Sequence, residues 1–198
     1  MDQRLITWAR QVKQRRQTPY PTLWLFTDAA RLPNPLPVIA RLPAHISGVV
    51  LRHDADPNRV TLGRAAAKIC RQRRILLVVA GDGRLAAALQ AGLHLRDGTW
   101  PDHIRPKNKL LTSSAHSGPD IIRARSTGAK LIFISPAFAT ASHPGEPALG
   151  HLRWLRLARL APPAKACALG GISGQKIKTL SHSCCAAGSI TALSEQHS

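Results

Sequence analysis

No apolar run in this chain approaches the roughly 18 residues needed to span a bilayer. The stretch from Met1 to Gln17 has no apolar core of signal-peptide type, which points to residence in the cytoplasm. Cysteine is sparse: Cys70, Cys167, Cys184 and Cys185 form no CxxC pair, and no His/Cys spacing reads as a zinc site. Buried free thiols are the expected state of most of them. Aromatics are few, with three Phe and one Tyr, and there is no RNP-like or helix-turn-helix signature. No GxGxxG follows the first strand-like run, which counts against a dinucleotide-binding sheet. Low-complexity linkers are missing too, so 198 residues read as one well-buried domain.

What is abundant is positive charge. Lys and Arg number 28 against 10 Asp and Glu, a formal net charge of +18. The cations are spread along the chain from Arg4 to Lys178 and not gathered in one block. With so few aromatics, nucleic acid is set aside as the main partner. Attraction of anionic, phosphorylated substrates is a simpler use of the same field.

The spacing of Leu5, Trp8 and Val12 predicts a basic amphipathic helix over 1–17, ended by Pro19 and Pro21. Eight short apolar runs follow, each stopping at polar or small residues. They are Leu23–Phe26, Gly48–Leu51, Ile75–Val79, Gly92–Leu95, Lys109–Leu111, Leu131–Ile134, Ala166–Leu169 and Ala187–Ile190. Helix-compatible stretches lie between most of them: Val60–Arg73, Arg84–Ala91, Asp120–Thr127 and His151–Leu160. Near-continuous apolar strands alternating with helices argue for a parallel sheet covered on both faces. Eight units predict a single, small (β/α)₈ TIM barrel over 22–198, behind an N-terminal basic helix over 1–21. A flavodoxin-like or Rossmann sheet is the alternative.

Two strand ends stand out. Ala166–Leu169 stops at Gly170-Gly171, and Ala187-Gly188-Ser189-Ile190 repeats the pattern more weakly. Glycines there let the backbone approach a ligand, with free N–H groups pointing outward. Two such turns in succession predict a phosphate cup after the last two barrel strands. The plainer reading is two ordinary strand-to-helix turns.

The order of strand-end residues resembles the thiamin phosphate synthase family and its thiazole tautomerase paralogue. The resemblance runs from about Leu23 to Leu193. It is carried best by Ser135-Pro136-Ala137-Phe138-Ala139-Thr140, then Gly150, then Ala168-Leu169-Gly170-Gly171-Ile172. It implies a TIM barrel and a thiazole phosphate ligand. Ser135, Thr140, Ser142, Gly170, Gly171, Gly188 and Ser189 would bind that ligand, with Arg52 beside them. The synthase expels diphosphate with the help of Mg²⁺ held by carboxylates. By the resemblance, the metal-binding Asp after strand three is Gly81 here, with Asp82 one position later. The second metal carboxylate falls near Thr99, with Asp97 two positions early. After strand two the family's Leu-Arg-Glu-Lys becomes Leu51-Arg52-His53-Asp54, and in the lid loop Thr-x-Thr-Lys becomes Thr140-Ala141-Ser142-His143.

The thiazole-phosphate half is thus better preserved than the diphosphate half, as in the tautomerase paralogue, which needs no metal. There a histidine after strand five moves the proton, and the matching residue is His116. An imidazole suits proton shuttling near neutrality; the alternative is a locally hydrogen-bonded side chain. No cofactor is expected in this reading. Mg²⁺ on Asp82 or Asp97 belongs to the rival reading, an active synthase. A third reading is a catalytically silent phosphometabolite binder. The expected partner is a phosphorylated small molecule and no membrane; a homo-oligomer is admissible.

Four further residues carry expectations. His94 reads as a packed core residue. His53 and His143 sit at strand ends and could line the site, or join His116 in a metal cluster. Asp28 either caps the segment after strand one or meets substrate.

Overall fold

The computed structural model describes residues 1–105, 108–140 and 147–194, without the side chains of 181 and 182. Eight parallel strands run β1 (Leu23–Phe26), β2 (Ser47–Leu51), β3 (Leu76–Ala80), β4 (Gly92–Leu95), β5 (Leu111–Ala115), β6 (Leu131–Ile134), β7 (Lys165–Leu169) and β8 (Ala186–Ser189). They pair in sequence order, and β8 closes on β1, making a (β/α)₈ barrel. Helices α1 (Gln3–Arg16), α2 (Leu36–Arg41), α3 (Arg59–Gln72), α4 (Gly83–Ala88), α5 (Gly118–Ser126), α6 (Gly150–Ala158) and α7 (Thr191–Ser194) accompany them, with a 3₁₀ segment at Lys176–Ser183.

Local chemistry sets the helix ends. Asp2 caps α1, its Oδ1 accepting the Leu5 N–H at 3.0 Å. Its other oxygen accepts the Gly174 N–H at 2.6 Å, tying α1 to the loop after β7. Leu5, Ile6, Trp8, Ala9 and Val12 form the buried stripe of α1. Asp82 caps α4 and Ser117 caps α5 in the same manner.

The barrel is filled by rings. Phe26 of β1 meets Phe133 of β6 edge-on at 4.9 Å and His94 of β4 at 5.5 Å. Trp24 meets Phe133 at 5.6 Å. These strands are not neighbours, so the contacts run through the lumen, which is a packed core and not a pore. Glycines vacate space for the rings. A Cβ on Gly48 would lie 2.6 Å from the Trp24 ring, and one on Gly188 would lie 2.6 Å from Phe26.

β5 departs from the sequence expectation. The apolar run Lys109–Leu111 is only its entry, and the strand proper carries Thr112, Ser113 and Ser114. Their hydroxyls are paired: Thr112 Oγ1 with His94 Nδ1 at 2.8 Å, and Ser113 Oγ accepting the Gly98 N–H at 3.0 Å. Among the described residues, no helix links β4 to β5. Gly98 and Pro101 break the connection, and Arg105 stacks 3.6 Å over the Trp100 ring within it.

Candidate active site

A cavity of about 790 Å³ opens at the C-terminal ends of the strands, where barrel loops converge. Arg52, His116, Ser135, Thr140, Gly170, Gly171, Gly188 and Ser189 all line it. Ser142 and His143 lie outside the described residues.

One wall is backbone. Gly170 and Gly171 hold φ of 88° and 62° after β7, a left-handed turn that favours glycine. A Cβ on Gly171 would lie 2.3 Å from the Ala139 carbonyl oxygen, so the loop after β6 packs directly on this turn. Among the described residues, nothing accepts the N–H groups of Gly171, Ile172 and Ser173. Lys176 adds a cation on the same side. Gly188 has a different place: it sits within β8, and its missing side chain makes room for Phe26. Ser189 Oγ accepts the Ala192 N–H at 3.2 Å, capping α7.

His116 lines the same cavity, one residue past β5 and nearly half exposed. Its Nδ1 faces the Ser135 carbonyl at 3.1 Å. The Ser135 hydroxyl lies 3.4 Å from the same nitrogen; in the tautomer in which Nδ1 donates to the carbonyl, the Nε2 lone pair is left for the cavity. Asp97 Oδ1 lies 3.7 Å from Nε2. Asp97 is held in turn by Ser114, which donates to Oδ1 at 3.2 Å and accepts the Asp97 N–H at 3.2 Å. Asp97 has φ of 50°, a conformation Asp tolerates better than most residues. The pairing of Asp97 with His116 was not read from the sequence, because the residues lie on adjacent strand ends 19 positions apart.

The other candidates separate. His53 is fully buried and turned away from the cavity, its ring between Thr27 Oγ1 at 2.9 Å and the Leu32 carbonyl at 3.2 Å. It therefore does not line the site as expected. His94 is a core residue: burial first, then the charges of Arg52 and Arg96, lower its pKa to about 3. Asp28 both lines the cavity and caps the turn after β1, accepting the N–H groups of Ala30 and Arg31.

The carboxylates after β2 and β3 are engaged by protein groups. Asp82 accepts the Leu85 N–H at 2.8 Å and faces Arg59 Nη1 at 3.4 Å. Asp54 pairs with Arg59 Nη2 at 2.9 Å and with Arg96. Among the described residues, no group of three or more His, Cys, Asp and Glu is placed to hold a metal ion.

Comparison with known proteins places this geometry. A family model described as Thiamine monophosphate synthase matches residues 33–192. An Aquifex aeolicus protein, provisionally named thiamine-phosphate synthase 2, is 31% identical over 127 residues, covering 62% of this chain and 68% of its own. The thiamine-phosphate synthase of Thermosynechococcus vestitus is 30% identical over 130 residues, 62% of this chain but only 36% of that longer protein. Among solved structures, a thiamine phosphate pyrophosphorylase from Pyrococcus furiosus superposes with a TM-score of 0.68 at 18% identity, covering 85% of each chain. FabK from Thermotoga maritima gives 0.67 at 13% identity over 92% of this chain and 61% of its own, a likeness of fold alone.

Proposed function

The chain belongs to the thiamine monophosphate synthase family, and from that premise we propose that it binds a thiazole phosphate and moves a proton on it through His116. Thiamin biosynthesis is the setting the family supplies. The observation that carries the finer reading is the position of His116, flanked by the Ser135 carbonyl and Asp97 and lining the same cavity as the β7 turn, whose N–H groups have no acceptor among the described residues.

The phosphate sits on the N–H groups of Gly171, Ile172 and Ser173, with Lys176 adding charge. The thiazole ring then projects toward β5. Nε2 of His116 takes a proton from the ring carbon that must lose it, and the Ser135 carbonyl holds the imidazole in the tautomer that can accept it. The resulting imidazolium is balanced by the Asp97 carboxylate. The same proton returns to the ring at the position that completes the aromatic tautomer. Atoms and charge balance without a co-reactant.

A second reading is favoured by the relatives' names: an Mg²⁺-dependent synthase that joins pyrimidine diphosphate to thiazole phosphate. The two are separated directly. Tautomer conversion followed by proton NMR should proceed with the wild type and fall about 100-fold or more in His116→Ala. Incubation with both synthase substrates and Mg²⁺ should release no diphosphate. Steady diphosphate release would overturn the tautomerase reading and establish the synthase.

A further inference from the structure

Charges spread along the sequence are sorted by the topology. Every described aspartate lies on the mouth side of the barrel. Those from Asp28 to Asp102 follow β1, β2, β3 or β4, and Asp2 and Asp120 stand at the starts of α1 and α5. The ion pairs of Arg31, Arg59, Arg96 and Arg123 therefore form there. The opposite face, where helices end and strands begin, holds no carboxylate side chain among the described residues. Exposed cations occupy it instead.

They fall into two groups. Arg41 ends α2, and Arg71, Arg73 and Arg74 end α3. These helix ends are tied together: Arg73 Nη2 donates to the Leu42 carbonyl at 3.3 Å, and the Arg74 carbonyl accepts the His45 N–H at 3.4 Å. Lys130 precedes β6 and Lys165 opens β7, with the Lys165 N–H on the Lys130 carbonyl at 2.9 Å. All of these cations are exposed. In a closed barrel of eight strands the β2–β3 side lies opposite the β6–β7 side, so the charges span the face and do not converge on a point. A helix C-terminus attracts cations within its last turn. That explains an arginine at each helix end, but not lysines at two strand starts or a face without one described carboxylate.

A small anion cannot bridge two sides of a barrel; an extended polyanion can. Guanidinium forks suit phosphate oxygens. Val60, Ile122 and Leu152 stand in the first turn or the middle of their helices. Among the described residues, Leu160, just past α6, is the one large exposed apolar side chain left toward this face. A lipid surface takes up apolar area as well as charge, so charge alone points to a nucleic-acid backbone. Tyr20, the aromatic just before β1, packs against the core and offers no platform for unpaired bases. We propose that the N-terminal face of the barrel binds the phosphate backbone of a nucleic-acid duplex without reading its sequence. This surface is separate from the cavity and stands whether or not the cavity takes thiazole phosphate.

The test is fluorescence anisotropy of the full chain with a labelled random-sequence duplex, as DNA and as RNA, between about 50 and 200 mM KCl. Binding should weaken with salt along a log–log slope of about −4 or steeper. Lys130→Gln with Lys165→Gln should make that slope shallower by about 2 and weaken binding about tenfold or more, with the melting profile unchanged. Arg71→Gln with Arg74→Gln should do the same. A control pair, Arg84→Gln with Arg153→Gln, removes equal charge from exposed positions toward the mouth. It should leave binding within about twofold, because charges far from the contact are screened. Equal losses in the control and face pairs would make binding a property of net charge and overturn the proposal. So would an absence of duplex binding at the lowest salt, or co-sedimentation with phosphatidylglycerol vesicles when neither duplex binds. A preference for DNA or for RNA, still weakened by the face pairs, supports the proposal and identifies the polymer.

Discussion

Asp97 Oδ1 lies 3.7 Å from Nε2 of His116, while the Ser135 carbonyl holds the opposite ring nitrogen at 3.1 Å. One imidazole is thus gripped on one edge and given a counter-charge on the other. The carboxylate reaches this position from the strand beside β5, in a left-handed backbone conformation steadied by Ser114.

Asp97→Asn should separate charge from structure. Asn adopts the left-handed conformation at least as readily as Asp, so the backbone at φ 50° is preserved. The melting temperature should stay near wild type. Turnover of the thiazole tautomer should fall about tenfold or more, because the imidazolium loses its counter-charge. A stopped-flow or NMR rate equal to wild type would remove Asp97 from the mechanism.

His94 makes stability depend on acid. Unfolded, its imidazole takes a proton near pH 6.5; folded, it stays neutral down to about pH 3, because the ring is buried. The unfolded state therefore binds more protons across that window, and stability falls as pH drops through it, by about 1.4 kcal/mol per pH unit for the one group. The carboxyls of Asp28 and Asp120, held below their ordinary value, contribute only below about pH 4. Urea unfolding at pH 7 and pH 4.5 should show the loss, and His94→Gln should flatten it.

Two glycines should respond differently to the same substitution. Gly171→Ala adds a Cβ 2.3 Å from the Ala139 oxygen at φ 62°, while Gly128→Ala adds one at φ 84° with nothing within 4 Å. The first carries backbone strain plus a clash, about 2 kcal/mol or more; the second carries strain alone, about 1 kcal/mol. Denaturant midpoints measure both. Only the Gly171 change should also weaken thiazole phosphate binding.

Gly188 and Phe26 should couple. Gly188→Ala places a methyl 2.6 Å from the Phe26 ring, overpacking the barrel by about 1–3 kcal/mol. Phe26→Leu should relieve part of that cost in the double variant. A double-mutant cycle in chemical denaturation reads the coupling directly. Strict additivity would show that the ring and the glycine do not compete for the same space.

The barrel was legible because its signal is carried by local patterns. Seven of the apolar runs coincide with strands to within about a residue at each end, within the usual uncertainty of element boundaries. The extent of β5 was not legible because Thr112 and Ser113 bury hydroxyls, and hydropathy cannot show that each finds a partner across a strand or loop. The lining of the cavity was legible in part, because strand ends of a barrel converge on one mouth. What the sequence could not show is side-chain direction. His53 follows Arg52 directly, yet it points into the β1–β2 layer while Arg52 faces the cavity. Arg96 lies over Gly81 only because β3 and β4 are neighbours with a fixed register. Gly188 reads as part of a turn in the sequence, whereas in the fold it lies within β8, where it lines the cavity and leaves room for Phe26.

The tryptophans give the molecule a divided optical signature. Trp8, Trp24 and Trp154 are buried, and Trp100, under the guanidinium of Arg105, is the indole that meets solvent. Emission from the first three reports the integrity of the barrel. The red edge of the spectrum, and its quenching by acrylamide, reports the connection between β4 and β5 alone. That connection begins at Arg96 and Asp97, so events at the cavity mouth can be followed by light without adding a label.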